Sequence, residues 1–157
     1  MSKIYLICGF IGSGKTTFSK ELAQSKSAFR FSIDEWMIPL FGEHMTREDF
    51  NTRLGILTEL FKQSAEQMID MDIPVIFDFG FWYKQQRFDL HQWAESINAD
   101  FELIYLKCSY ETCRVRAIDR NQKRLDKSYE MTDEMLKMFW SWFEEPSFDE
   151  KATVIKN

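Results

Sequence analysis

Gly9-Phe10-Ile11-Gly12-Ser13-Gly14-Lys15-Thr16 is the stretch that decides the fold. A short apolar run, Ile4–Cys8, precedes it, and Lys15–Gln24 follows with the composition of a helix. The stretch matches G-x-x-x-x-G-K-[ST] at every fixed position and has the strand-before, helix-after setting that this pattern requires. Its glycines permit positive φ and let backbone N–H groups approach an anion closely. Lys15 adds an ammonium for the β and γ oxygens of a triphosphate, and the helix that starts there adds its positive end. Gly9, Gly12, Ser13, Gly14, Lys15, Thr16 and the adjacent Thr17 are therefore expected to hold the phosphates of ATP, with the Thr16 hydroxyl on Mg²⁺.

Outward from this loop, strands alternate with helices. Ala28–Ser32 reads as a weak second strand. Residues 47–70 carry Phe50, Leu54, Leu57, Phe61, Ala65 and Met68 at three- and four-residue spacing, which predicts a helix capped by Thr46. Ile73–Phe79 reads as a third strand with Pro74 at its start. Helical patterns follow over 84–98, 110–120 and 132–143. Phe101–Leu106 is a near-continuous apolar run, as in a strand covered on both faces. Residues 121–130 read as a polar loop, and Ala152–Ile155 as a last strand. Such alternation predicts a parallel sheet between helices, with ligands at the carboxyl ends of its strands.

Two acids fall at that rim. Asp34, in Ser32-Ile33-Asp34-Glu35-Trp36, reads as a base for an acceptor hydroxyl, as a group binding Mg²⁺ through water, or as the N-cap of a short following helix. Asp78, after Val75-Ile76-Phe77, reads as the metal-side carboxylate that phosphoryl transfer needs on a rigid strand, or as a turn residue. Arg116 and Arg120 are four apart and share a helical face, from which guanidinium groups could close on the γ-phosphate. Arg114 and Arg124 are weaker candidates for the same task. Arg87 could face either the site or solvent. Trp36, Phe79, Phe81 and Trp82 are candidates for an apolar acceptor pocket or for core packing. His44 and His91 have no ligand-like companions and read as surface residues.

Composition narrows the class. The chain has 157 residues, 45% of them hydrophobic and 16% aromatic, which suits one domain with a sizeable core. The net charge of −5 opposes a general affinity for nucleic acid. Lys and Arg gather instead in residues 1–30 and 107–127, a pattern suited to a local polyanion. No apolar run approaches the roughly 18 residues of a membrane span, and the N-terminus lacks a signal-peptide pattern, so a cytoplasmic chain is expected. Cys8, Cys108 and Cys113 show no metal-type spacing and read as structural thiols.

Together, GFIGSGKTT (9–17), SIDEW (32–36), VIFDFGFW (75–82), RVRAIDRN (114–121) and FEEP (143–146) resemble a family of small bacterial kinase-like ATP-binding proteins. These are AAA-domain proteins related in sequence pattern to chloramphenicol phosphotransferase, zeta toxins and the kinase domain of polynucleotide kinase. The resemblance runs from Ile4 to about Glu150. It implies a three-layer α/β P-loop fold with five parallel strands in the order 2-3-1-4-5. It implies one domain over 1–157, with a helical lid at roughly 114–130 that carries Arg116 and Arg120. It also implies that Asp34 acts on the acceptor hydroxyl. The expected activity is transfer of a phosphoryl group from Mg-ATP to a hydroxyl of a small molecule, with Lys15, Asp34, Arg116 and Arg120 as the catalytic set. An ATPase or switch module serving a protein partner is the alternative, and a kinase of nucleic-acid ends a more distant one. No N-K-x-D signature for guanine is present, since Asn121-Gln122-Lys123-Arg124 lacks the acid.

Overall fold

The computed structural model describes residues 2–123 and 129–157. Five strands form one parallel sheet: β1 (Lys3–Cys8), β2 (Phe29–Ser32), β3 (Val75–Gly80), β4 (Asp100–Lys107) and β5 (Thr153–Lys156). Their spatial order is β2-β3-β1-β4-β5, as the family resemblance implies. The helices are α1 (Lys15–Lys26), α2 (Ile33–Phe41), α3 (Arg47–Asp70), α4 (Lys84–Ser96), α5 (Tyr110–Gln122) and α6 (Asp133–Trp142), with a 3₁₀ turn at Phe148–Glu150.

Side chains alternate across the sheet. Ile4, Leu6 and Cys8 of β1 join Phe31, Phe77 and Leu103 in a core roofed by Ile33 and Met37 of α2, Leu57 and Phe61 of α3, and Leu90 and Ala94 of α4. Tyr5, Ile7, Ile76 and Ile104 face the other way, against Phe18 and Leu22 of α1. A third cluster lies beyond the strand ends, where Phe10 meets Cys113 and Ala117 of α5 and Leu136 and Phe139 of α6. This last cluster ties the glycine loop to the helices above it.

β1 sits between β3 and β4, with Leu6 level with Phe77 on one side and Leu103 on the other. The chain departs in opposite directions from this central strand. The crevice that such a departure opens at the carboxyl end of β1 is where ligands bind in open α/β sheets, and the glycine loop occupies it.

Thr46 caps α3 as its sequence suggests, its Oγ1 accepting the Asp49 N–H at 3.0 Å. Other expectations change. β3 begins at Val75 rather than Ile73, and Pro74 lies outside the strand, where its carbonyl accepts the Phe29 N–H at 2.9 Å. β5 starts one residue late, after Lys151 turns the chain at φ 52°. The segment after β2 is a nine-residue helix, α2, with Asp34 inside its first turn and Ser32 at the N-cap. Asp34 is thus not the cap. α5 continues to Gln122 into the expected loop; Arg124 and the rest of 124–128 lie outside the described residues. No helix of the described residues is long and apolar enough to cross a membrane.

Candidate active site

The loop between β1 and α1 is held at both ends by the backbone. Gly9 N–H donates to Gly80 O at 3.0 Å, and Ser13 N–H donates to Phe10 O at 3.1 Å. Gly12 and Gly14 adopt left-handed φ of 80° and 96°. A Cβ on Gly12 would also strike the Cys113 carbonyl of α5, so any side chain there would part the loop from the helix. Phe10 is buried between Trp82, Trp140 and Phe143, which fixes the loop on the third core cluster. Lys15 Nζ donates to Phe10 O at 2.9 Å, so the ammonium is drawn over the loop it serves. Ser13 Oγ is buried in the loop without a hydrogen-bond partner. Thr16 and Thr17 open the first turn of α1 with exposed side chains.

Asp78 lies beside this turn. It pairs in register with Ser32 of β2 and Ile7 of β1 and is only 7% exposed. Its Oδ2 accepts the Ser19 hydroxyl at 2.7 Å and pairs with Arg30 Nη2 at 2.7 Å. Arg30 also donates through Nε to Ser19 Oγ at 2.6 Å and pairs with Glu35 at 2.5 Å. Neither Arg30 nor Ser19 stands out in a motif. Two signals mark them: a charged residue within the otherwise apolar Phe29-Arg30-Phe31 strand, and a hydroxyl three residues after Thr16 on the same helical face. A buried charge needs a partner, and Asp78 is the one that the strand order supplies.

Asp34 presents the opposite arrangement. No hydrogen bond or ion pair to it occurs among the described residues, and it is exposed to the cleft. Protein surrounds it at longer range, and that burial, with the charges of Asp78 and Glu35, pushes its carboxyl up to about 6. Lys15 and Arg120 pull the other way. Solvent reaches Asp34 directly, and this open shell screens the push; filling the cleft with a ligand would strengthen it. For Lys15, burial lowers the ammonium's pKa while Asp78 and Asp34 raise it. Lys15, Asp34, Asp78 and Arg120 are therefore close enough to act on one another electrostatically, around the mouth of the loop.

The arginines of α5 divide. Arg114 turns away, pairing with Glu111 and Asp133 at 3.0 Å each, and clasps α5 to α6. Arg116 Nη1 lies 3.5 Å from Gly12 O, and Arg116 lines a cavity of about 260 Å³ with Thr17, Phe18, Ile155 and Asn157. That cavity is also lined by Gly14 of the loop, and Arg120 is the arginine of the pair whose charge acts on Asp34 and Lys15. Asp119 pairs with Lys123 at 3.3 Å and neutralises neither. Asn157, which no motif marks, donates its side-chain N–H to Ser13 O at 2.7 Å and so braces the loop from β5.

Arg87 faces neither the site nor solvent. It is 2% exposed, pairs with Glu150 at 2.6 Å and donates to Phe81 O at 2.7 Å, holding a residue with φ 48°. The four rim aromatics separate as well. Trp36 and Phe79 pack on Phe61, and Phe81 stacks on Phe79 at 5.1 Å. Trp82 instead bridges Phe10 and Phe139 at 5.5 and 5.4 Å. Burial pushes the Cys8 and Cys113 thiols up to about 12, which suits structural roles. His91 stacks on Phe101 at the surface.

These residues fit a nucleotide polyphosphate. The left-handed glycines, the unpartnered Ser13 hydroxyl and the Lys15 ammonium form a cradle that side chains would fill. The first-turn Thr16 and the nearby Asp78 are oxygen donors of the kind Mg²⁺ takes beside phosphates. No set of three or more His, Cys, Asp or Glu among the described residues could hold a metal without such phosphates.

Known proteins agree with this reading. The chain is 27% identical over 147 residues to the L-seryl-tRNA(Sec) kinase of Methanococcus maripaludis, which covers 91% of this chain and 53% of the relative. The chain thus spans about half the length of that curated protein. Kti12 of Chaetomium thermophilum, solved in complex with ADP-AlF3, superposes with a TM-score of 0.73 at 16% identity, over 98% of this chain and 88% of Kti12. A gluconokinase from Sinorhizobium meliloti 1021 superposes with a TM-score of 0.64 at 15% identity, over 99% and 82%. At such identities these structures speak for the fold alone. The AAA domain family matches residues 4–146, which is most of the chain and includes the loop, both carboxylates and the arginines of α5. The chain belongs to the AAA domain family, in its P-loop kinase-like form.

Proposed function

We propose that the chain transfers the γ-phosphoryl group of Mg-ATP to a hydroxyl of a small molecule. The observation that carries this reading is Asp34: an exposed carboxylate without a hydrogen-bond or ion-pair partner among the described residues, within electrostatic reach of Lys15 and Arg120. A pKa near 6 suits a group that takes a proton at neutral pH. A gluconokinase and a seryl-tRNA kinase among the similar proteins are consistent with a hydroxyl acceptor.

Gly9, Gly12, Ser13, Gly14, Lys15, Thr16 and Thr17 bind the phosphates through backbone N–H groups, hydroxyls and the ammonium. Thr16 and Asp78 hold the metal side, with Arg30 and Ser19 fixing Asp78 so that its remaining oxygen keeps one direction. Mg-ATP, when bound, supplies the phosphoryl group and neutralises part of its charge. Arg120 and Arg116 would close on the γ-phosphate of a bound nucleotide, Arg120 beside Asp34 and Lys15 and Arg116 beside the Gly12 carbonyl. Asp34 orients the acceptor hydroxyl and accepts its proton. Catalysis of this kind is mostly positioning and charge stabilisation.

The test is ADP release from Mg-ATP with and without nucleosides, sugars, sugar acids, amino alcohols and antibiotics, with Lys15→Ala as control. A compound that raises the rate well above background in the wild type alone supports the transferase. One observation favours a switch module instead: Trp36 and Leu40 of α2 and Ile56 and Leu60 of α3 expose apolar surface. Fast turnover indifferent to every compound would decide for that reading.

A further inference from the structure

We infer that the acceptor carries an acidic group beside its hydroxyl, and that Arg47 at the start of α3 binds that group. The inference rests on the transferase reading and names its substrate class.

Arg47 packs against α6. Its guanidinium sits over three aromatic rings, 5.0 Å from the Phe50 centroid, 5.2 Å from Trp142 and 5.7 Å from Phe139. Stacking of this sort immobilises the planar cation while its edge N–H donors stay free. No carboxylate of the described residues pairs with it, although Glu48 and Asp49 occupy the same helical turn. A cation at a helix N-terminus works against the helix dipole, and the three ring contacts hold it there. Exposed, pre-oriented and without an ion-pair partner among the described residues, the fork fits a carboxylate or phosphate bidentately.

The rings connect Arg47 to the reacting end of the site. Phe139 touches Trp82, and Trp82 stacks on Phe10 of the phosphate loop, so the packed cluster under the loop also carries Arg47. Phe50 meets the Tyr129 ring edge-on at 6.3 Å. The Tyr129 hydroxyl is buried without a hydrogen-bond partner, and Asp34 is near enough that its charge, added to burial, pushes that hydroxyl's pKa up. An acceptor hydroxyl between Asp34 and Tyr129 would satisfy both groups. The body of the molecule would then lie beside Phe50, which meets both Tyr129 and Arg47, and its acidic group would reach Arg47.

Two measurements test this on the full chain. In the first, inorganic phosphate or acetate is titrated by calorimetry into protein saturated with Mg-ADP, so that the phosphate loop is already filled. At least one of these anions is expected to bind the wild type, and to bind Arg47→Met about tenfold or more weakly, a loss of about 1.4 kcal/mol. Methionine retains contact with the rings, and Arg47→Lys, which keeps the charge without the planar fork, should fall between the two. Tighter phosphate binding would indicate a phosphorylated acceptor, and tighter acetate binding a carboxylic acid. Absence of binding to the wild type, or equal binding by Arg47→Met, overturns the inference.

In the second, transfer is compared within matched pairs: a sugar acid against its neutral sugar, a nucleoside 5′-monophosphate against its nucleoside, and a short oligoribonucleotide. Only charged small molecules should serve, with Arg47→Met raising KM about tenfold or more and leaving kcat within about threefold. Equal use of neutral partners, or use of the oligonucleotide alone, overturns the inference. Arg47-dependent anion binding without transfer to any compound would overturn the transferase reading and leave the anion subsite standing.

Discussion

Two aspartates flank the same phosphate loop and have opposite surroundings. Asp78 is sealed between β1 and β2, with Ser19 and Arg30 on one of its oxygens. Asp34 stands in the first turn of α2 with no hydrogen-bond or ion-pair partner among the described residues and open solvent beside it. One carboxylate has its geometry fixed by the fold, and the other has its contacts left for a ligand. Active sites commonly divide two like groups in this way, because environment rather than residue type assigns the role. On the proposed reading, long-range pairing marks Asp78 as the positioning acid and the missing partner marks Asp34 as the reacting one.

The strongest challenge to that contrast is Asp34→Asn. Loss of a positioned base is expected to lower transfer by about 10²–10⁴-fold. ATP affinity, measured by equilibrium titration with a fluorescent analogue, should change by less than about threefold, since Asp34 makes no hydrogen bond or ion pair to the loop. A collapse of ATP affinity would show that Asp34 supports the nucleotide site, and the contrast with Asp78 would fail.

Arg30→Met tests the sealed acid. It removes the cation facing Asp78 and Glu35 and leaves a carboxylate uncompensated in a site only 7% exposed. Breaking a buried pair in this manner costs about 3–5 kcal/mol, to be read as a fall in the urea midpoint. Arg30→Met with Asp78→Asn should restore part of that loss, because the unpaired charge is gone. A single variant as stable as wild type would mean that Asp78 does not depend on the pair.

The smallest effect concerns pH. Asp34 is raised in the folded chain from 3.8 to about 6, so between those values the folded state holds more protons than the unfolded one. Its contribution to stability is then most favourable below about pH 4 and is lost as pH rises through 6. Asp34→Asn should therefore raise Tm relative to wild type at pH 7.5 and not at pH 4, by a few degrees at most given the open solvent shell. In the wild type, kcat/KM should rise with pH through about 6 as the base loses its proton. A Tm difference that does not change with pH would place Asp34 in ordinary surroundings.

The residues of these experiments differ in how readable they are. Gly12, Lys15 and Thr16 form a local motif, and their chemistry lies in eight consecutive residues whose backbone makes the site. Asp78 and Asp34 are legible as acids near strand ends, because strand periodicity and the parallel-sheet rule bring those ends to one rim. Arg30, Arg47 and Asn157 are not legible, because each acts on a group far away in sequence. Arg30 meets Asp78 across 48 residues and Asn157 meets Ser13 across 144. The aromatics show the same limit. Trp36, Phe79, Phe81 and Trp82 are neighbours at the rim in sequence terms, yet three join the Phe61 side and Trp82 joins Phe10.

By itself, then, the sequence determined the class of fold, the nucleotide loop and the two acids, since each follows from local periodicity or from a contiguous motif. The tertiary structure alone decided which acid is tied down and which is free. It also decided that Arg116 lies beside the Gly12 carbonyl while Arg120 acts on Asp34, that Arg87 is a buried brace, and that Arg47 lies on the rings of Phe50, Phe139 and Trp142. Those outcomes depend on which helix faces pack together, and packing is settled by contacts among distant residues that no local pattern encodes.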